Sequence, residues 1–205
     1  QYPSPLSSYR HYNKDLEDES LIRVSNMPKE ARVRLGAMDV YDGTTFGMGV
    51  TNTADGTAGY RRVGSTIPGR SADEAGVQTS VSTSQLLGPW VPTIGQVSVL
   101  RFEPSAPNAA EQQDGLNYDL WADTALTTGP TGQLSYSLST TMPREHADSE
   151  FASVDAARYA GGDTNVPKDV DSLAADHTST ARSDLEKARA IEQFLHTDGY
   201  YSNED

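Results

Sequence analysis

The sequence predicts a mainly β protein, an antiparallel β-sandwich or open barrel of about seven or eight strands, followed by a C-terminal helical segment. Between residues 19 and 145, short runs of alternating apolar and polar residues are separated by turns rich in glycine and proline. Beyond residue 145 the apolar residues recur at three- and four-residue spacing, which is typical of helices. We therefore predict an extended lead-in at residues 1–18, a β domain at residues 19–145 and a helical segment at residues 146–205.

The β domain is assigned from its alternating runs. Val77, Thr79, Val81 and Thr83 fall on one face of their run, which indicates a half-buried antiparallel strand. Apolar residues on both faces of the run 96–102 favour a central strand. Residues 88–92 are expected to break a strand, and residues 103–115 to form a polar excursion. Strands are predicted at 21–26, 33–40, 44–50, 60–63, 77–87, 96–102, 116–121 and 134–141, with a tight hairpin turn at Asp42-Gly43.

Two helices are predicted in the C-terminal segment. The first begins at Pro167, where the missing N–H has no helical partner to lose, and its apolar stripe is Val166, Val170, Leu173 and Ala174. The second begins with a capping box, Ser183-x-x-Glu186, in which each side chain can accept from a free backbone N–H of the other. Gly199 is predicted to end it as a left-handed C-cap. Its apolar stripe is Leu185, Ala188, Ile191, Phe194 and Leu195.

Composition excludes several classes of function. The formal net charge is −13 and the basic residues are not clustered, which argues against nucleic acid and anionic lipid as partners. The chain has no cysteine, so it has no disulfide, thiolate metal site or thiol nucleophile. No apolar run approaches the roughly 18 residues that span a bilayer. Because the chain begins at Gln1 and not at methionine, we expect it to be cut from a longer protein.

The sequence shows no catalytic, cofactor-binding or metal-binding motif. His11, His146, His177 and His196 lie in polar contexts, and no two of them have the spacing that places two imidazoles on one helix face. The acidic run 15–19 is interpreted as a solvated edge, because no calcium-loop pattern accompanies it. There is no G-x-S-x-G phrase, although a Ser-His-Asp site built from scattered positions stays open.

Four aromatic residues could form a platform for a sugar or a peptide, and each also lies where a β-sandwich needs a large core residue or a turn plug. These residues are Trp90, Trp121, Tyr118 and Tyr136. Trp90 stands in the phrase Pro89-Trp90-Val91-Pro92 and is the one that we expect to be exposed. It is therefore the candidate ligand-facing aromatic.

A family resemblance rests on phrases at both ends of the chain. The C-terminal pattern VP-x-x-V-x-x-LA, followed by KA-x-AI-x-x-FL-x-x-x-GYYS, resembles the entry to the transglutaminase-like core of bacterial membrane-anchored proteins of the actinobacterial type. The phrase Tyr2-Pro3-Ser4-Pro5-Leu6, and Arg34 with Tyr41-Asp42-Gly43, are similar to the extracytoplasmic region before that core. In that family the core is papain-like and uses Cys, His and Asp. The present sequence stops at Asp205, before these residues.

The resemblance implies a non-catalytic extracytoplasmic β domain with the first helices of the core, in a parent protein anchored by an upstream membrane helix. The expected partners are the remainder of the parent chain and a cell-envelope protein or peptidoglycan. Leu185, Ile191, Phe194 and Leu195 are the candidate interface. If nothing else covers this stripe, we expect it to dock on the β domain, to pair with a second copy or to be poorly ordered.

Two other classes of function stay open from the sequence. One is a self-contained β-sandwich module that binds cell-wall glycan or protein, with the helices as a strap. The other is an independent hydrolase, which would need a cleft with convergent polar groups.

Overall fold

The computed structural model describes residues 5–38, 40–41, 46–47, 59–70, 76–143, 146–151, 154–156 and 167–199. The chain divides into two compact units, residues 1–143 and 144–205. We call them the β unit and the helical unit, because every described strand lies in the first and the described elements of the second are helices.

The β unit contains twelve described strands, and all of their pairings are antiparallel. The prediction of a mainly β, antiparallel protein is therefore confirmed. The strands are β1 (Ile22–Ser25), β2 (Val33–Arg34), β3 (Val40–Tyr41), β4 (Phe46–Gly47), β5 (Arg61–Arg62), β6 (Val77–Ser84), β7 (Trp90–Val91), β8 (Thr93–Ile94), β9 (Gln96–Phe102), β10 (Leu116–Asp119), β11 (Thr124–Thr127) and β12 (Gln133–Thr141).

These strands form two four-stranded sheets and two short pairs. The first sheet has the order β1-β6-β12-β9, and the second has the order β5-β10-β11-β7. The pairs are β2-β8 and β3-β4. The chain therefore moves repeatedly between the sheets, and both contribute side chains to one apolar cluster. That cluster includes Ile67, Val81, Val91, Ile94, Val97, Leu100, Phe102, Leu116, Tyr118, Ala125, Leu134, Tyr136 and Leu138.

The long strands β6 and β12 form the centre of the first sheet. On β6, Thr79, Val81 and Thr83 are buried while Gln78 and Ser80 are exposed, so the predicted alternation is confirmed. Strand β12 pairs with β6 on one side and with β9 on the other. Two long neighbours satisfy the backbone groups of β12, which places it at the centre of the sheet.

Strand β9 has the predicted bounds, but it lies at the edge of its sheet and not at the centre. Its outer side is nevertheless covered by residues 65–67. The amide of Ile67 donates to the carbonyl of Ser98 at 2.9 Å, and the amide of Leu100 donates to the carbonyl of Ser65 at 2.8 Å. These bonds satisfy backbone groups on the outer edge of β9, which would otherwise be left unpaired.

Several elements differ from the sequence prediction. Residues Pro5–Ser8 form a 3-10 helix that continues into α1 (Tyr9–Lys14), so the extended lead-in is wrong there. The polar excursion contains α2 (Ala109–Asp114), and the stretch expected to break a strand carries β7 and leads directly into β8. Strand β11 was not predicted either.

The predicted hairpin around Asp42-Gly43 is present as the β3-β4 pair, in which Tyr41 is opposite Phe46. This register leaves residues 42–45 between the strands, and not the pair Asp42-Gly43 alone. The turn itself lies outside the described residues.

The helical unit contains α3 (Asp148–Phe151), α4 (Lys168–Thr178) and α5 (Asp184–Thr197). Pro167 is the N-cap of α4, so the predicted start is confirmed. At the start of α5, Ser183 Oγ accepts from the amide of Glu186 at 3.2 Å, as the capping box predicts. The Glu186 carboxylate, however, accepts from the amide of Arg182 at 2.6 Å and not from Ser183.

The C-terminal end of α5 also differs from the prediction. Asp198 is the C-cap, and Gly199 does not have the left-handed conformation. The sequence still needs glycine there, because a Cβ at residue 199 would collide with the carbonyl oxygen of Leu195.

Candidate functional site

Trp90 is buried, with 2% of its surface exposed, so the prediction that it faces a ligand is wrong. It pairs with Leu126 of β11, and the indole packs against Gly88, where a Cβ would lie 3.0 Å from the ring. Gly88 has a φ of +88°, which lets the chain turn and direct the tryptophan inward. Tyr118 and Tyr136 are also in the core, so of the four aromatic candidates only Trp121 is exposed, by 75%.

Trp121 lies in the connection between β10 and β11, which we call the Trp121 loop (residues 120–123). The loop begins with a hydrogen-bonded turn at Asp119, whose side chain is buried. Its Oδ1 accepts from the amide of Trp121 at 2.9 Å and from the amide of Ala122 at 3.2 Å. An Asp that bonds to the amides two and three residues further on fixes a tight turn. The backbone that carries the indole is therefore fixed at its first end.

Asp123 fixes the other end of the loop through its side chain. Its Oδ1 accepts from Arg70 Nη2 at 2.7 Å and from the hydroxyl of Tyr118 at 3.1 Å. The same Arg70 nitrogen donates to the carbonyl of Leu120 at 3.2 Å, so one guanidinium connects both ends of the loop. The Arg70–Asp123 pair is largely screened from water, with exposed side-chain fractions of 26% and 14%.

The backbone of Asp123 is held as well. Its φ is +51°, in the left-handed region that aspartate tolerates better than most residues. Its carbonyl accepts from Thr93 Oγ1 at 2.9 Å and from Arg34 Nη1 at 3.2 Å. Arg34 was predicted only as part of a family phrase, and the structure gives it this supporting contact. Strands β2 and β8 thus brace a loop of the second sheet.

The environment of Tyr118 keeps its hydroxyl protonated and therefore a donor to Asp123. Burial raises the pKa of Tyr118 well above its ordinary value, and the neighbouring carboxylate of Asp123 raises it further. Burial also raises the pKa of Tyr136, whose hydroxyl donates to the carbonyl of Pro92 at 2.6 Å. Both tyrosines are neutral hydrogen-bond donors within the core.

Because the pKa values of these two tyrosines are raised, we expect the unfolding free energy of the β unit to fall at alkaline pH. A folded-state pKa above the unfolded value of about 10 means that their contribution is complete below pH 10 and is lost as the pH rises beyond it. Tyr118→Phe removes one of the two groups, so the loss of unfolding free energy between about pH 9 and 11 should become shallower. Urea unfolding across that range measures the slope. Identical slopes for the wild type and the variant would contradict the assignment.

The candidate interface on α5 is partly open. Leu185, Ile191 and Phe194 are half-buried, and Leu195 is 59% exposed. Phe194 stacks on the His177 ring of α4, with ring centroids 3.9 Å apart and an angle of 27° between the planes. Helices α4 and α5 are thus packed together at Phe194, yet none of their described residues is fully buried.

A shallow hollow of about 450 Å³ lies beside the same helix. It is lined by Asp148, Ser149, Ser183, Leu185, Glu186 and Arg189. Arg189 makes a two-pronged contact with Asp148, from Nη2 at 2.5 Å and from Nε at 3.0 Å, and Nη1 donates to Glu192 at 2.6 Å. The hydrogen bond from Arg189 lowers the pKa of Asp148. The contact between Arg189 and Asp148 therefore connects α3 to α5.

The histidines do not converge on a catalytic group. His11 pairs with Asp15 at 2.8 Å, His146 pairs with Glu150 at 3.0 Å, and His177 stacks on Phe194. Each of the two carboxylates is four residues further along the chain, which is the usual reach within one helical turn. Among the described residues, no group of three or more His, Asp and Glu side chains could hold a metal ion.

Comparisons of the chain with protein-family models, curated protein sequences and solved structures find no match. In the described part of the chain, no helix is both long and apolar enough to cross a bilayer. The transglutaminase-like origin therefore stays a prediction. The candidate interface on α5 and the Trp121 loop expose apolar side chains to water.

Proposed function

We propose that the chain is the non-catalytic extracytoplasmic β domain, with the first core helices, of a membrane-anchored transglutaminase-like protein acting at the cell envelope. The observation that carries this proposal is the state of α4 and α5. Both helices are well defined and α5 is capped by Ser183, but neither contains a buried residue. Helices of this length owe most of their stability to tertiary burial of an apolar face.

The two units differ in how complete their packing is. The β unit has its own core, in which Ile67, Ile94 and Leu100 are fully buried. On the helices, the larger apolar side chains are still in contact with water: Val170 is 52% exposed and Leu173 is 45% exposed, in addition to Leu195. This exposed apolar surface supports a role as a docking face for the remainder of the parent chain.

Within this proposal the β unit is a β-sandwich in which the two four-stranded sheets pack face to face. Its support is the shared cluster, to which Val81 and Leu138 come from the first sheet and Leu116 and Tyr118 from the second. The sandwich would orient the core relative to the membrane and contact a cell-envelope protein or peptidoglycan. The net charge of the whole chain, −13, disfavours anionic partners.

Hydrogen exchange tests the docking face directly. The 205-residue chain is compared with a chain prolonged by about a hundred codons of the parent gene, enough for a small domain. We expect the amides of α5 from Leu185 to Leu195 to gain protection in the longer chain, while those of β6 stay unchanged. We also expect the added sequence to contain a helix with Cys or its replacement, followed by His and Asp.

A charge placed on the stripe provides the matched control. Leu195→Asp should abolish the gain in protection in the longer chain, because a carboxylate would be buried without a partner. Leu87→Asp, at a 46% exposed position of the β unit, should leave the gain intact. The proposal fails if the added sequence lacks the three residues, or if α5 exchanges equally fast in both chains.

A further inference from the structure

We propose that the Trp121 loop is a binding site for a neutral sugar ring, with the indole of Trp121 as the stacking surface. The sequence favoured Trp90 among four possible aromatic residues, and the structure exposes Trp121 instead. The inference does not depend on the transglutaminase-like proposal, since it concerns the β unit alone.

Many hydrogen bonds hold the Trp121 loop, although the side chain of Trp121 does not contribute to the core. Hairpin connections are usually built from Gly, Asn and Asp, which satisfy the turn by themselves. Here the side chains of Asp119, Arg70, Thr93 and Arg34 all bond to the backbone of the loop, and Trp121 remains 75% exposed. A rigid loop lowers the entropy that is lost on binding, which is the benefit of preorganisation.

Trp121 is the exposed large apolar residue of the β10–β11 hairpin. A stable protein interface buries about 800 Å² on each partner around an apolar centre, whereas one tryptophan offers about 150–250 Å². The other exposed large apolar residues described in the β unit belong to different segments, Leu6, Tyr9, Met27 and Leu87, and not to the β10–β11 hairpin. A single indole face of this size matches one sugar ring.

The electrostatics of the indole and of the chain favour a neutral ligand. The face of an indole is electron-rich and attracts the positively polarised C–H groups of a sugar. The whole chain has a net charge of −13, which disfavours phosphate-bearing polymers and anionic lipid surfaces, whereas a neutral sugar carries no charge to be repelled. The ligand class that fits both the indole and the charge is a neutral oligosaccharide.

Tryptophan fluorescence of the full chain tests the proposal, because the chain has two tryptophans and the other one, Trp90, is buried. The probes are chitohexaose and cellohexaose, both soluble and neutral. We expect one of them to shift the tryptophan emission maximum to shorter wavelength in a saturable way. Half-saturation at about 1 mM would correspond to a weak contact. Phosphatidylcholine vesicles serve as a third probe and should give no shift.

Variants assign the signal to the residue. With binding followed by saturation-transfer NMR of the sugar, Trp121→Ala should weaken binding by about tenfold or more. Trp121→Phe, which keeps a smaller ring, should lose less. Leu87→Ala is the matched exposed control and should bind as the wild type does. Far-UV circular dichroism confirms that each variant is folded.

Three results would overturn the proposal. The first is the absence of saturable binding for both oligosaccharides up to 20-fold above about 1 mM. The second is equal binding by the wild type and Trp121→Ala. The third is a blue shift with the vesicles and none with the sugars, which would make the loop a membrane-surface contact. None of these results bears on the hydrogen-exchange test of α5.

Discussion

Asp123→Ala is expected to lower the unfolding free energy of the β unit by about 3 kcal/mol. Three separate losses add up. Arg70, whose side chain is 26% exposed, loses its carboxylate partner, and the hydroxyl of Tyr118 loses its acceptor. In addition, alanine has to adopt a φ of +51°, which aspartate tolerates better.

Two further substitutions at the same position separate these losses. Asp123→Asn keeps an acceptor oxygen and the tolerance of the left-handed conformation, so we expect a loss of about 1 kcal/mol. Asp123→Gly adopts the backbone conformation without strain but has no side chain, so its loss should lie between those of asparagine and alanine. Urea unfolding of the three variants, followed by near-ultraviolet circular dichroism, measures the series. If alanine and asparagine each lower the unfolding free energy by less than about 0.5 kcal/mol, the Arg70–Asp123 bridge does not support the loop.

The long elements of this fold could be predicted from the sequence because their signals are local. The alternation of Thr79, Val81 and Thr83 gives the buried face of β6, and Ser183 with Glu186 gives the start of α5. A strand of eight residues or a capped helix repeats its pattern often enough to be recognised. Its position in the sheet does not follow from that pattern, as the edge placement of β9 shows.

The short elements could not be predicted, because tertiary contacts define them. All four residues of β11 are buried, so the run has no alternation to reveal it. Strand β7 has two residues and, in the described part of the chain, pairs with β11 alone. Helix α2 is held by Gln112, a fully buried side chain whose Nε2 donates to the carbonyls of Pro130 at 2.7 Å and Gln133 at 2.9 Å. A buried glutamine in a polar stretch has no sequence signature.

The candidate site shows the same limit. Proline on both sides of Trp90 suggested exposure, but Gly88 turns the chain so that the indole enters the core. The signal that could have identified Trp121 is the pair Asp119 and Asp123, which brackets it. Two turn-forming residues spaced around an aromatic indicate a hairpin tip. Arg70 and Thr93, which brace that tip, are distant in sequence and could be found only from the structure.

Leu138→Ala is the second large effect, with an expected loss of about 3 kcal/mol in unfolding free energy. Leu138 is fully buried at the centre of β12, opposite Thr79 of β6 and Leu100 of β9. Both neighbouring strands are long and paired over most of their length, so the sheet cannot easily collapse into the space that the side chain leaves. The cavity therefore remains and adds to the lost transfer free energy.

Two matched variants serve as controls for Leu138→Ala. Leu138→Ile conserves the volume and should lose less than about 1.5 kcal/mol. Leu87→Ala removes the same atoms at a 46% exposed position and should change the unfolding free energy by less than about 0.5 kcal/mol. Urea unfolding ranks the stabilities of the three variants by their midpoints, provided that the dependence of the unfolding free energy on urea concentration is the same for all three. Equal effects of alanine at positions 138 and 87 would mean that β12 does not lie at the centre of the core, and the shared cluster that supports the sandwich would have to be abandoned with it.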